Sequence, residues 1–162
     1  MLSRLRSATA VVAIAALSAC SGHVGVPVEV DGVRMERIYH DNGGHAPTAY
    51  ADWIERAEKH DIRGYIVDGP CVSFCVFMAF YSDLSCYTPS ASLGIHLATN
   101  WYGGRDDKMN AFNEKLLSGI PQALADEIRK VDNFTAFEGR DIRYDELKQI
   151  MPDRECPKAW TT

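Results

Sequence analysis

Ser73 and His96, 23 positions apart in this 162-residue chain, are of the right types to form a nucleophile and its base. A serine hydroxyl attacks a carbonyl only when a base takes its proton, so it needs an imidazole within hydrogen-bond reach. Ser73 stands near the start of an apolar stretch, residues 72–81, which is too long and too apolar for a solvent-facing strand. A buried helix is expected there, and the head of a helix offers backbone N–H groups that can stabilise an oxyanion. His96 ends the apolar run Leu93-Gly94-Ile95, which would hold it at the edge of a sheet. Asn42-Gly43-Gly44 adds a sharp turn whose glycines permit positive φ and a close backbone approach to a ligand. Each residue has a simpler use alone: Ser73 as a helix N-cap, His96 as a hydrogen-bonded buried histidine. Together they point to acyl transfer.

The elements needed to bring them together are legible in outline. Residues 33–39 and 64–67 read as strands, the second buried and ended by Gly69-Pro70. Residues 48–60 read as an amphipathic helix, with Tyr50, Trp53, Ile54 and Ala57 at helical spacing. Residues 86–88 and 92–96 suggest further strand, split by Pro89. Helices are expected at 106–117 and 121–131, broken at Gly119, with Pro121 as the first residue of the second. Asp106 and Asp107 suit the dipole of the first. A last helix, 145–150, is stopped by Pro152 and N-capped by Asp145. Residues 21–31, with Gly and Pro and no periodicity, read as a tether. Strands alternating with helices imply an α/β domain with a mainly parallel sheet.

The order and gaps of these pieces resemble a family. Asp41-Asn42-Gly43-Gly44, then Gly69-Pro70-Cys71-Val72-Ser73-Phe74, then Leu93-Gly94-Ile95-His96 look like the proteolytic subunit of the Clp protease and the wider ClpP/crotonase-like fold. The G-x-C-x-S-x-C pattern, Gly69 to Cys75, with a further Cys before the Pro turn, is similar to a small exported subgroup. The resemblance covers roughly residues 38–150. It implies a Ser73-His96-Asp141 triad, with Asp141 following Arg140 just before the final helix; Asp145 is the rival. It further implies oxyanion donors at the backbone N–H groups of Gly44 and Phe74. The Clp subunit is fed by an ATP-driven unfoldase, for which an exported chain has no fuel, so processive unfolding is not expected. The segment between His96 and Asp141 is long enough for the family's helical handle, so oligomerisation stays open.

The N-terminus sets the compartment. Arg4 and Arg6 precede an uncharged run, residues 8–19, of about 12 residues, short of the roughly 20 that span a bilayer. The run ends in Leu17-Ser18-Ala19-Cys20, which resembles the bacterial lipobox, with cleavage before Cys20 and diacylation of its thiol. The expected organisation is a signal peptide (1–19), a lipidated Cys and tether (20–31) and one domain (32–162), lipid-anchored on the periplasmic side of the inner or outer membrane. The net charge of -5, without a Lys/Arg cluster, argues against nucleic acid. Four thiols remain, Cys71, Cys75, Cys86 and Cys156. An even number in an exported chain points to two disulfides rather than a metal site. Three pairings exist, and the short segment between Cys75 and Cys86 favours joining those two. His40, His45 and His60, separated by a turn and a helix, make a poor metal set, and no cofactor is expected.

The functional expectation is a membrane-tethered serine hydrolase acting on peptides or flexible protein segments. The alternative is a catalytically silent member of the fold that binds an envelope component or protein partner. Thioester chemistry on coenzyme A is disfavoured outside the cell. In the full chain, Cys20→Ala should abolish incorporation of labelled palmitate and release the protein from the membrane fraction; undiminished incorporation contradicts the lipobox reading.

Overall fold

Seven strands and five helices are present in a computed structural model, which describes residues 22–43, 46–99, 106–131 and 139–161. Strands β1 (Val24–Val30) and β2 (Val33–His40) form an antiparallel hairpin with Val30 opposite Val33. Its two-residue loop, Asp31-Gly32, takes positive φ at both positions, 51° and 76°. Tight hairpins of that kind demand this, and Asp-Gly supplies it with little strain. Most of the stretch expected as a tether is therefore strand. Its valines at alternate positions, Val24 to Val30, carry the period of two that a paired strand needs.

Helix α1 (Ala46–His60) then crosses to β3 (Gly64–Val67), which runs parallel to β2 and is buried throughout. β5 (Cys86–Tyr87) adds a further parallel edge to β3. A second sheet is built from β4 (Pro70–Val72), β6 (Ser92–Ile95) and β7 (Arg140–Arg143). β4 and β6 are parallel; β7 returns antiparallel on β6. The two sheets meet at Asp41: its N–H donates to the Pro70 carbonyl at 2.8 Å, and its carbonyl accepts from Val72 N–H at 2.8 Å.

The α/β class agrees with the expectation, but the mainly parallel sheet is replaced by two mixed ones. Each gains an antiparallel strand that was not expected, β1 in one and β7 in the other. β7 is charged at three of its four positions, and Ile142 alone is buried. β4 is only three residues long and begins with Pro70, tolerated at a strand's first position.

Helix α2 (Phe74–Phe80) is the buried helix expected: Phe74, Val76, Phe77, Ala79 and Phe80 are all inside. It packs into a core that includes Ile38, Trp53, Val67, Tyr87, Leu93 and Ile95. Helix α3 (Asp107–Leu117) is N-capped by Asp106, whose side chain accepts from Met109 N–H at 2.9 Å. Helix α4 (Gln122–Lys130) lays Leu124, Ala125 and Ile128 on the core, and Pro121 is its N-cap rather than its first residue. Helix α5 (Tyr144–Ile150) begins after Arg143, whose backbone N–H donates to the Glu146 carboxylate at 3.4 Å; Asp145, expected as the cap, lies in the first turn. Among the described residues no helix is long and apolar enough to cross a membrane.

Two disulfides are present, but not the pairing favoured from sequence. Cys71 joins Cys75, and Cys86 joins Cys156. Proximity along the chain misled the Cys75–Cys86 choice because α2 carries Cys75 away from β5. The C-terminal tail instead returns to β5, where Cys156 N–H donates to the Tyr87 carbonyl at 2.9 Å. Arg154 adds a bond to the Asp83 carboxylate at 2.8 Å.

The two crosslinks should contribute unequally. Cys86–Cys156 closes a loop of 70 residues, Cys71–Cys75 one of 4. Loop-closure entropy alone assigns about 4 kcal/mol to the first and about 2 kcal/mol to the second. The double variant Cys86→Ser/Cys156→Ser should therefore lose more urea stability than Cys71→Ser/Cys75→Ser; equal losses would contradict the entropic ranking.

Candidate functional site

Ser73 occupies the single-residue turn between β4 and α2, with φ 58° and ψ -121°. A side chain with a Cβ is strained there, at a typical cost of about 1–3 kcal/mol, and such residues cluster at functional sites. The sharp strand-to-helix turn is also the arrangement that thrusts a nucleophilic hydroxyl outward in hydrolases. Ser73 stands at the N-cap position of α2, yet its hydroxyl makes no capping bond. The simpler use of this serine is thus unfilled. Its N–H is committed to the Gly94 carbonyl at 2.7 Å, which ties the turn to β6.

His96 follows the last residue of β6 and is half-buried. In the β4/β6 register Val72 lies beside Gly94, so Ser73 and His96 emerge at the same end of neighbouring parallel strands. His96 Nδ1 lies 3.0 Å from the Leu97 carbonyl. A carbonyl can only accept, so Nδ1 carries a proton, and in the neutral ring Nε2 presents the lone pair a general base requires. No hydrogen bond joins His96 to Ser73. Catalytic hydrogen bonds often tighten only with substrate in place.

Asp141 lies on β7 opposite Gly94, two residues before His96 in the neighbouring chain segment, and is exposed. Asp141 does not bond to His96; the Leu97 carbonyl takes the Nδ1 proton that a triad aspartate would accept. Asp145 is likewise exposed, in the first turn of α5. Ser73, His96 and Asp141 are thus brought to one end of one sheet, with no hydrogen bond linking their side chains.

The glycine turn closes on the same place. Gly43 has φ +75°, and a Cβ on it would stand 2.3 Å from the Val72 carbonyl oxygen, 2.7 Å from Phe74 N and 2.9 Å from Ser73 Cβ. Only glycine fits. Phe74 N–H is the first amide of α2 and has no acceptor within the helix. Gly43 N–H is taken by Asp41 Oδ1 at 2.6 Å, so it is not a free oxyanion donor. Gly44, the donor implied by the family resemblance, and Cys20, the lipidation residue, lie outside the described residues.

An apolar groove of about 650 Å³ opens between α1, α2 and α3, and Phe74, the residue after Ser73, reaches its wall. Tyr50, Ile54, Phe74, Met78, Phe112 and Leu116 line it. Phe74 therefore belongs both to the head of α2 and to the groove wall. A volume of this size suits a ligand or a few side chains of a peptide.

Sequence reasoning missed a buried ionic cluster behind the glycine turn. His23, Glu36 and Asp41 are at most 5% exposed. His23 Nδ1 lies 2.5 Å from Asp41 Oδ2, and Nε2 lies 2.9 Å from Glu36 Oε1. Arg56 Nε stands 3.6 Å from Glu36 Oε1, with the guanidinium over the Trp53 ring. The signal was the Asp31-Gly32 hairpin, which returns the start of the chain alongside β2. Burial opposes protonation of His23, but its bonds to Asp41 and Glu36 outweigh that, and its pKa is raised above the usual 6.5. Burial, with the Glu36 charge, pushes the Tyr65 phenol up to about 12.

All four described cysteines are paired in disulfides. No protein-family model, curated protein or solved structure matches the chain.

The raised His23 pKa sets the sign of a pH effect. The stabilising contribution of the protonated ring is complete below its unfolded value, about 6.5. It is lost as pH rises through the higher folded value. The urea stability of the wild type should therefore exceed that of His23→Gln most in mildly acidic buffer, and the gap should narrow on going alkaline. A gap that widens with pH contradicts a protonated His23.

Proposed function

We propose that the chain is an extracytoplasmic, membrane-tethered serine hydrolase, in outline a relative of the Clp proteolytic subunit that works without an ATP-driven partner. Peptides or flexible protein segments are its substrates. The observation that carries this reading is the backbone of Ser73: a strained turn between strand and helix, with a hydroxyl that does not cap. Ser73 attacks the scissile carbonyl, and His96 Nε2 takes its proton and later delivers it to the leaving amine. Phe74 N–H, with a donor from the glycine turn, receives the oxyanion. The apolar groove beginning at Phe74 suits an apolar substrate side chain. Asp141 is assigned the orienting role by family resemblance; the Leu97 carbonyl already holds the imidazole in the useful tautomer. Two disulfides support an oxidising compartment, in keeping with the lipobox at Cys20.

A second reading is a catalytically silent binding protein of the same architecture. It is favoured by the lack of a Ser73–His96 hydrogen bond and by the exposure of Asp141. Fluorophosphonate labelling separates the two. The hydrolase reading expects one covalent adduct, on Ser73, abolished in Ser73→Ala and reduced in His96→Ala by roughly 10²–10⁴-fold, the usual worth of general acid–base catalysis. Asp141→Asn should reduce it far less, because the Leu97 carbonyl remains. A folded wild type that no fluorophosphonate labels supports the silent reading.

A further inference from the structure

The buried cluster behind the glycine turn has no part in the chemistry assigned above, yet its contacts end on that chemistry's scaffold. We propose that His23 and Asp41 are positioning residues, whose ion pair holds the Gly43 turn against the head of α2 and so shapes the oxyanion cradle beside Ser73. The catalytic consequence rests on the hydrolase reading; the geometric claim stands without it.

The chain of contacts is short and fully buried. Asp41 divides its carboxylate: Oδ1 accepts from Gly43 N–H at 2.6 Å, and Oδ2 faces His23 Nδ1 at 2.5 Å. Its backbone is pinned on both sides to β4, through the Pro70 carbonyl and Val72 N–H. Rotation of the carboxylate is the freedom that remains, and His23 removes it. Gly43, held in turn by Oδ1, presses on the Val72 carbonyl, Phe74 N and Ser73 Cβ without room for a single added carbon. A displacement of the turn would therefore be felt at the head of α2.

The state of His23 follows from its partners. Both ring nitrogens face carboxylate oxygens, which as carboxylates only accept. With both carboxyl groups ionised, both nitrogens carry hydrogen and the ring is an imidazolium, the form its raised pKa favours. From β2 it meets Glu36 and, just past the strand's end, Asp41; from α1 come the Arg56 guanidinium, paired with Glu36, and Trp53, edge-on at 5.8 Å between centroids. From β3, Tyr65 packs on Trp53, its phenol neutral with a pKa near 12. Two positive and two negative groups thus balance at a site where His23, Glu36 and Asp41 are buried. Removing one proton leaves a buried charge uncompensated, which weakens the remaining contacts. β1 is shaped around the pair: a Cβ on Gly25 would stand 2.6 Å from His23 Nε2 and 2.9 Å from Glu36 Oε1.

The test uses the intact mature chain and two readouts. The first is the exchange rate and chemical shift of the Gly43 amide, followed by NMR as His23 is titrated. The second is the fluorophosphonate labelling rate of Ser73 across the same pH range. In the wild type, the Gly43 amide resonance should move with the His23 ring resonances and its exchange should quicken, beyond the intrinsic pH trend, as the ring deprotonates. Labelling should fall along the same alkaline limb. His23→Gln should lose that limb and label slower by roughly 10- to 100-fold, the order of loss for an ångström-scale misplacement. Gly25→Ala, which crowds the pair without removing a charge, should shift Gly43 in the same sense. A Gly43 amide indifferent to His23 titration in the wild type overturns the proposal, and this reading needs no variant to fold. A wild type that does not label, while Gly43 still follows His23, overturns the hydrolase reading alone.

Discussion

The structure turns on the backbone of one residue, Ser73. A left-handed conformation at a residue with a Cβ costs about 1–3 kcal/mol and persists only where its surroundings dictate it. Here four constraints converge within a few residues. The Gly94 carbonyl takes the Ser73 N–H, the Cys71–Cys75 disulfide brackets the turn, Gly43 fills the space behind it, and the apolar residues of α2 bury the helix that follows. Without them the residue would relax to an ordinary N-cap, its hydroxyl turned back onto the amides of α2. Holding it otherwise keeps both the hydroxyl and the first amide of the helix available.

The rest of the fold supplies that place. β2, β4 and β6 all end at the same end of the molecule, since Asp41 bridges β2 to β4 and β4 is parallel to β6. Their carboxyl ends deliver Gly43, Ser73 and His96 respectively, and carboxyl ends of parallel strands are where open α/β sheets hold their ligands. The antiparallel additions, β1 and β7, lie on the outer side of this arrangement. β1 brings His23 to the back of the glycine turn, and β7 brings Asp141 alongside β6. The long-range Cys86–Cys156 crosslink serves a different end, fastening the C-terminal tail to β5.

Much of this could be read from residue pattern where the pattern had a period. The helical spacing around Trp53, the all-apolar 64–67 segment and the unbroken apolar stretch after Ser73 each became the expected element, within a residue or two for α1 and β3. Ser73 and His96 were singled out for the same reason, as polar residues bordering apolar runs. What escaped depended on long-range pairing. β7 has one buried residue and three charged ones, so its strand character exists only because β6 is beside it. The disulfide pairing depends on where the C-terminal tail returns, which local spacing does not encode. His23 escaped because its stretch was taken for a tether, although Val24, Val26, Val28 and Val30 alternate and Asp31-Gly32 marks a hairpin. Its two carboxylate partners lie 13 and 18 residues away.

The most direct measurement is a crystal structure of the protein after reaction with a phosphonate carrying an apolar side chain. The account predicts continuous density from Ser73 Oγ to phosphorus. It places the phosphonyl oxygen within hydrogen-bond distance of Phe74 N–H, the apolar group in the groove lined by Phe74 and Met78, and Ser73 still at positive φ. Contradiction would be an unmodified Ser73 at negative φ, its hydroxyl capping the first turn of α2.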